Sequence, residues 1–255
     1  MSAVRVPDGP GRSRLPPVEL TPHAAARLLD GEITVVGRVA WSSNAALLVT
    51  VERDDQEMLA VYKPERGERP LWDFPDGSLC RREVSAFLLS ESLGWDIVPR
   101  TVLRDGPYGI GSVQRFVDHD PDEHYLTLLE DHLDDFCRFA VFDVLANNAD
   151  RKGGHCLREL ATGKIYGIDH GLTFHAGSKL RTVIWDFAGE PVPDELAVDV
   201  ASLRARLEGP LFDEFAALLH PMEVEALLTR IDRLLMDGKL PEPDEGYHSV
   251  PWPMI

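Results

Sequence analysis

Near Asp118 the apolar pattern of this chain changes period, and that change limits the fold more than any other feature. Before it, short β-branched runs are separated by polar turns. One run begins at Ile33 and reaches Trp41, a second covers Leu47 to Val51, and a third covers Met58 to Lys63. The polar stretch from Glu52 to Glu57 suits a hairpin connection between the last two. Residues 80–93 place Val84, Phe87 and Leu88 at helical spacing, with Gly94 as a stop. Two more strands are predicted from Val98 to Leu103, with Pro99 at the start, and from Ser112 to Val117. After Asp118 apolar residues recur at three- and four-residue steps. Leu128, Leu129, Leu133, Phe136, Phe139, Ala140 and Val144 do so across 125–147. A second helical region runs across 195–236 and carries Leu211, Phe215, Leu227, Ile231 and Leu234. Between the two, Ile165 to Ile168 reads as a short strand ending at Asp169. The pattern predicts an α+β chain of two lobes: a β-rich N-lobe over about 19–117 with one helix, and a mainly helical C-lobe over about 118–240. Residues 1–18, rich in Pro, Gly and Arg, are expected to be disordered, and 241–255 to form a Pro-rich acidic tail.

Bulk properties narrow the function. The formal net charge of −17 repels nucleic-acid phosphates and anionic membrane surfaces, so no nucleic-acid partner is expected. No apolar run approaches the roughly 20 residues that span a bilayer. The N-terminus lacks the apolar core of a secretory signal. Cys80, Cys137 and Cys156 are scattered and odd in number, which fits a reducing, cytoplasmic setting better than a disulfide framework. The nine His residues match no zinc spacing. No P-loop and no G-x-S-x-G elbow occurs. Arg dominates the basic residues, with Lys only at Lys63, Lys152, Lys164, Lys179 and Lys239, as in GC-rich bacterial genomes.

The chemistry concentrates in three carboxylates, a lysine and an arginine. Lys63 ends an apolar strand, where a buried ammonium needs a partner. Glu83, in the following helix, is the natural one. Asp150 and Arg151 open a loop containing Gly153 and Gly154. A loop carboxylate can orient a substrate proton, and an adjacent guanidinium can neutralise phosphate. Asp169 ends a strand before His170 and Gly171, a turn whose carboxylate oxygens suit magnesium. Each feature also has an ordinary structural reading: an exposed strand-end Lys, a solvated helix Glu, an Asx turn, a helix cap. Their order along the chain is what favours phosphoryl transfer.

In that order they resemble the phosphatidylinositol 3-/4-kinase-like family, and within it the type II phosphatidylinositol 4-kinases and their actinobacterial relatives. Trp41-Ser42-Ser43-Asn44-Ala45 is similar to the family's Ser-rich phosphate-covering loop. Val61-Tyr62-Lys63-Pro64, with Glu68-Arg69-Pro70, is similar to its nucleotide-Lys segment, and Glu83 falls where its helix acid falls. Ile97 to Thr101 and Gly111 to Val117 resemble the strand before the hinge and the hinge itself. Asn148-Ala149-Asp150-Arg151 resembles the catalytic loop, and Ile168 to Phe174 the metal segment. The resemblance covers about 35–190 and implies a two-lobed protein-kinase-like fold with ATP and Mg2+ bound between lobes. It implies that Ser42, Ser43, Asn44, Lys63 and Glu83 serve the phosphates and that Gln114, Phe116 and Val117 lie along adenine. Asp150 and Arg151 would be catalytic, and Asp169, with His155 or Asn148, would hold metal. The transferred phosphate would go to a hydroxyl on a protein, a small molecule or a lipid. Two departures stand out. His155 takes the place where the family usually has a metal-binding Asn, and imidazole is a poor magnesium ligand. The Cys cluster that anchors type II lipid kinases to membranes is missing, so no stable membrane anchor is expected. The alternatives are a nucleotide-binding pseudokinase acting through partners, a toxin-type Ser/Thr kinase, and an enzyme transferring AMP.

Overall fold

The structure, a computed structural model, describes residues 28–39, 45–244, 246 and 248–255. The expectations for 1–18 and for Ser42, Ser43 and Asn44 therefore fall outside the described residues. The first half is an antiparallel five-stranded sheet in the order β1-β2-β3-β5-β4. Its strands are β1 (Glu32–Arg38), β2 (Leu47–Arg53), β3 (Gln56–Pro64), β4 (Thr101–Gly106) and β5 (Gly109–Arg115). The β2–β3 hairpin turns at Asp54 and Asp55, whose φ values of 53° and 56° supply the left-handed pair that a two-residue turn requires. Alternation along the strands sorts the faces. Val49, Val51, Met58, Ala60, Tyr62, Val102 and Val113 gather with Leu28 in one apolar cluster. Lys63 projects from the opposite face of β3. Gly111 lies opposite Pro64 on β5, and a Cβ there would stand 2.5 Å from the Lys63 carbonyl. The close approach of β5 to the Lys63 strand thus requires glycine.

Between β3 and β4 the chain inserts helix α1 (Leu79–Leu93). The Glu68 carboxylate accepts its first amides, Leu79 N–H at 3.1 Å and Cys80 N–H at 2.8 Å. That satisfies orphan donors and complements the positive end of the helix. Gly94, at φ 72°, ends it. The apolar face of α1 does not join the sheet cluster. Ala86, Leu89 and Leu93 pack with Trp95, Ile97 and Val98 into the large core of the helical half, beside Phe136, Phe139, Phe142, Leu227 and Ile231.

The helical half contains α2 (Tyr125–Leu128), α3 (Leu133–Ala146), α4 (Asp194–Arg206), α5 (Pro210–Ala216) and α6 (Pro221–Asp237). A small hairpin, β6 (Cys156–Arg158) and β7 (Ile165–Gly167), lies between α3 and α4. The helix predicted over 125–147 is broken: α2 tightens into a 3-10 turn at Leu129–Asp131, and α3 restarts after His132 with Asp134 and Asp135 in its first turn. Acidic residues favour a new helix start there over a continuous rod. The region 195–236 divides into three helices at Gly209-Pro210 and His220-Pro221, where Pro opens each new helix. The tail crosses the helical half: Thr182 N–H donates to the Ser249 carbonyl at 3.0 Å, and Gly153 N–H to the Met254 carbonyl at 2.7 Å. Among the described residues, no helix is long and apolar enough to cross a membrane.

Candidate active site

The fold brings Lys63, Glu83 and Asp169 together from three separate elements. The Lys63 ammonium donates to a Glu83 carboxylate oxygen, and to Asp169 Oδ1 at 2.8 Å. The second Glu83 oxygen accepts the His170 N–H at 3.0 Å. One α1 carboxylate therefore ties the β3 lysine to the segment that follows β7. Burial would lower the Lys63 ammonium, but Asp169 and Glu83 outweigh it and hold the group above its ordinary value. Lys63 in turn holds Asp169 well below the usual carboxylate range. Burial lifts the Glu83 carboxyl in spite of Lys63. Asp169 is the open end of the cluster, with 44% of its side chain exposed, and it sits at a left-handed φ of 61°. That conformation is uncommon outside glycine but is one Asp tolerates.

His155 stands on the other side of Asp169, its Nε2 3.4 Å from Asp169 Oδ2. Burial lowers its pKa to about 4, so the ring is neutral at pH 7. Its Nδ1 accepts Lys152 N–H at 3.4 Å, which puts the ring proton on Nε2, toward Asp169. In this arrangement the protonated Nε2 faces Asp169 and does not offer a lone pair to a metal.

Asp150 lies on the loop after α3, with 26% of its side chain exposed. Its N–H donates to Asn148 Oδ1 at 3.0 Å, an Asx-type turn that fixes the loop. Lys152 Nζ lies 3.1 Å from Asp150 Oδ2. Burial raises the Asp150 carboxyl, opposed by Lys152. Sequence reasoning passed over Lys152. The available signal was its place two residues after Asp150, on the same loop.

Two expected site residues face away from solvent. Asn148 is buried, with Oδ1 accepting Asp150 N–H and Nδ2 donating to Asp143 Oδ1 at 2.9 Å. Arg151 has no exposed surface. Its Nη2 lies 2.9 Å from Asp143 Oδ1, and the same nitrogen donates to His170 Nε2 at 2.7 Å. Arg has only donors, so His170 accepts and is neutral; burial, then Arg151, lowers its pKa well below normal. Asp143 also accepts from Thr182 Oγ1 at 3.2 Å. The expectation that Arg151 neutralises phosphate is corrected on this geometry: it locks α3, the Asp150 loop and the Asp169 segment together from behind.

The hinge groups divide similarly. Gln114 pairs within the sheet, and its Nε2 donates to Thr101 Oγ1 at 2.8 Å. Phe116 N–H donates to the Leu59 carbonyl at 3.1 Å. Only Val117 enters the cluster beneath the cleft, packing with Leu157, Tyr166 and Ile168. Leu157 and Ile168 flank His155 and Asp169 in sequence, and the alternation of β6 and β7 could have marked them. No group of three or more metal-ligating side chains forms among the described residues.

A β-sheet over a helical body, with a paired lysine, a strand-end Asp and a loop Asp converging where they meet, defines a kinase-like protein. The family model for phosphatidylinositol 3- and 4-kinase matches residues 90–235. The chain belongs to that family. It is 43% identical over 263 residues to Protein Rv2133c of Mycobacterium tuberculosis, covering 89% of this chain and 94% of that protein. Among solved structures it is similar to the Helicobacter pylori proinflammatory kinase CtkA, at 14% identity and a TM-score of 0.48, over 84% of this chain and 94% of that one. It is also similar to the golgi casein kinase, at 14% identity and a TM-score of 0.48, over 86% and 78%.

Proposed function

We propose that the protein is an ATP-dependent phosphotransferase that moves the γ-phosphate to a hydroxyl group. The observation that carries this reading is the convergence of Lys63, Glu83 and Asp169. Lys63 would contact the α- and β-phosphates, with Glu83 holding it in place. Asp150 would orient the acceptor hydroxyl, its raised pKa bringing it closer to a proton acceptor's range. Lys152, bonded to Asp150, would reach the transferred phosphate. Adenine would lie against Val117, Leu157 and Ile168. The donor chemistry fits one hard divalent cation: an ionised, half-open Asp169, with phosphate and water oxygens completing the shell. Magnesium bound there would neutralise charge on the β- and γ-phosphates.

Incubation with γ-labelled ATP and magnesium tests the reading. Label should reach an acceptor with wild type and not with Asp150→Ala, and ATP should stabilise wild type but not Lys63→Ala. Equal transfer by wild type and Asp150→Ala would refute the assignment. A second reading, nucleotide binding without transfer, is favoured by one feature: His155, with its protonated Nε2 3.4 Å from Asp169, stands where a second metal ligand would be needed. Stabilisation by ATP with no labelled acceptor would select it.

A further inference from the structure

One short turn separates Asp150 from Asp169. Residues Gly153–His155 form a 3-10 turn, with Lys152 leading into it and His155 closing it. Lys152 reaches Asp150 at 3.1 Å, and His155 Nε2 stands 3.4 Å from Asp169 Oδ2. The turn therefore sets the offset between the two carboxylates. It opens on Gly153-Gly154, and glycine loses more backbone freedom on ordering than any other residue. Local bonds hold the far end: His155 N–H donates to the Lys152 carbonyl at 3.1 Å, and Ile168 N–H to the His155 carbonyl at 2.9 Å. The near end is held by a distant part of the chain, through Gly153 N–H and the Met254 carbonyl at 2.7 Å. A Cβ on Gly153 would stand 3.4 Å from that oxygen, 3.6 Å from Ile255 Cγ1 and 3.7 Å from Tyr125 Cβ, so the turn is gripped between segment 249–255 and α2. The segment is also tied to the loop from behind. Arg181 N–H donates to the Asn148 carbonyl at 2.8 Å and Val183 N–H to the Arg151 carbonyl at 3.0 Å, while Thr182 N–H turns the other way, to the Ser249 carbonyl at 3.0 Å. Trp185 Nε1–H donates to that same carbonyl at 3.0 Å. Beyond Ser249 the segment is shallow: Trp252 is 85% exposed, Met254 44% and Ile255 57%. Contacts of that kind add little apolar burial, so their effect falls on the turn they touch.

We propose that residues 249–255 are a positioning element of the phosphotransfer site: by bonding Gly153 they hold Lys152 against Asp150 and His155 against Asp169, and so set the rate of transfer rather than the affinity for nucleotide. This rests on the phosphotransferase reading of the same site. The Met254 carbonyl acts through the turn and touches none of the reacting atoms. A turn built on two glycines samples many conformers when released, and transfer needs Lys152 and Asp150 together in one of them. Lys63 and Glu83 come from β3 and α1 and are held by their own bonds, so loosening the turn leaves the nucleotide contacts in place.

The test uses the full chain with magnesium and ATP. ADP is the readout, because transfer to any acceptor, water included, produces it. Gly153→Pro removes the N–H and keeps the turn: proline suits the first helical position, and Lys152 already has the extended backbone (φ −94°, ψ 162°) that precedes proline. Maximal turnover should fall about tenfold, the scale of one hydrogen bond, with KM for ATP unchanged. Amide exchange followed by mass spectrometry should quicken in 152–156 and in 249–255 together. Gly153→Ala keeps the N–H and should recover most of the lost rate. Trp185→Phe loosens the segment at Ser249 without touching the turn and should quicken the same amides, which settles the question if Gly153→Pro does not fold. Wild-type turnover in Gly153→Pro, a higher KM at unchanged maximal rate, or exchange in 152–156 indifferent to both variants would overturn the inference. A wild type that forms no ADP would instead overturn the phosphotransferase reading, and exchange would still judge the bond between segment and turn, so the two failures are distinct.

Discussion

Replacing Asp143 by Asn would remove a charge from a carboxylate with no exposed surface, leaving its shape nearly unchanged. Arg151, equally buried, would then lose its counter-ion. Breaking a buried pair from one side costs about 3–5 kcal/mol, because the remaining charge is left in a poor solvent. The new amide would also point donors at Arg151, Asn148 or Thr182, all of which now donate to Asp143. One lost hydrogen bond adds about 1 kcal/mol. At roughly 2–4 °C per kcal/mol for a chain of this size, the melting temperature should fall by about 8–24 °C. Circular dichroism during heating, with urea titration for the free energy, measures this directly. Removing both charges, as in Asp143→Leu with Arg151→Met, should recover much of the loss, since apolar pairs often replace buried ion pairs at little cost. A loss below about 1 kcal/mol, the value for an exposed pair, would refute the reasoning. So would Arg151→Met that melts like wild type yet no longer transfers phosphate, because Arg151 would then belong to the reaction.

His155 should make stability depend on pH. Its folded pKa of about 4 lies below the unfolded value near 6.5, so the unfolded chain binds more protons between those values and stability falls as pH drops through that window. The contribution is about 3 kcal/mol; His155→Asn should flatten it in urea titrations from pH 7 to 4 and, by offering an amide oxygen beside Asp169, lower the magnesium needed for half-maximal turnover. Asp169 acts in the opposite acid range: its depressed carboxyl stabilises the fold above the unfolded value near 3.9 and is lost only as pH falls further. Lys63→Met should shift that loss to higher pH in acid unfolding curves and abolish ATP-induced stabilisation. Gly167→Ala should cost about 1–3 kcal/mol by thermal denaturation, because the new methyl would stand 2.6 Å from Phe139 and crowd Arg151; a neutral result would show that this packing yields freely.

The sequence made the Lys63–Glu83–Asp169 cluster legible because its signals are local. Lys63 closes an apolar strand, Asp169 ends another, and Glu83 lies in a clear helical stretch. The strands were equally readable, although β5 stops at Arg115 and β4 starts only at Thr101. The helical half was read with the right content and the wrong breaks, since Glu130-Asp131-His132 interrupts a periodicity that continues across it. What could not be read was orientation. Asp-Arg in a glycine-rich loop looks exposed, and nothing adjacent to Arg151 says that it turns inward. The clue sat eight residues away in Asp143, a lone acid amid Phe139, Ala140, Val141 and Phe142 on a buried helix. Such an acid must be paired, and its partner had to be a donor from outside α3.

The way α1 is packed has a mechanical consequence. Its apolar face is fused to the helical core, and Arg82, one residue before Glu83, is buried against Thr173 and Glu223 at 2.6 Å each. The covalent boundary between halves falls near residue 117, yet α1, inserted between two strands of the sheet, has its apolar face in the core of the helical half and also contacts β4 and β5. The Lys63–Glu83 contact therefore joins a strand of the sheet to a helix anchored in the other half, so any displacement of the sheet relative to the helical core must stretch or break that ion pair.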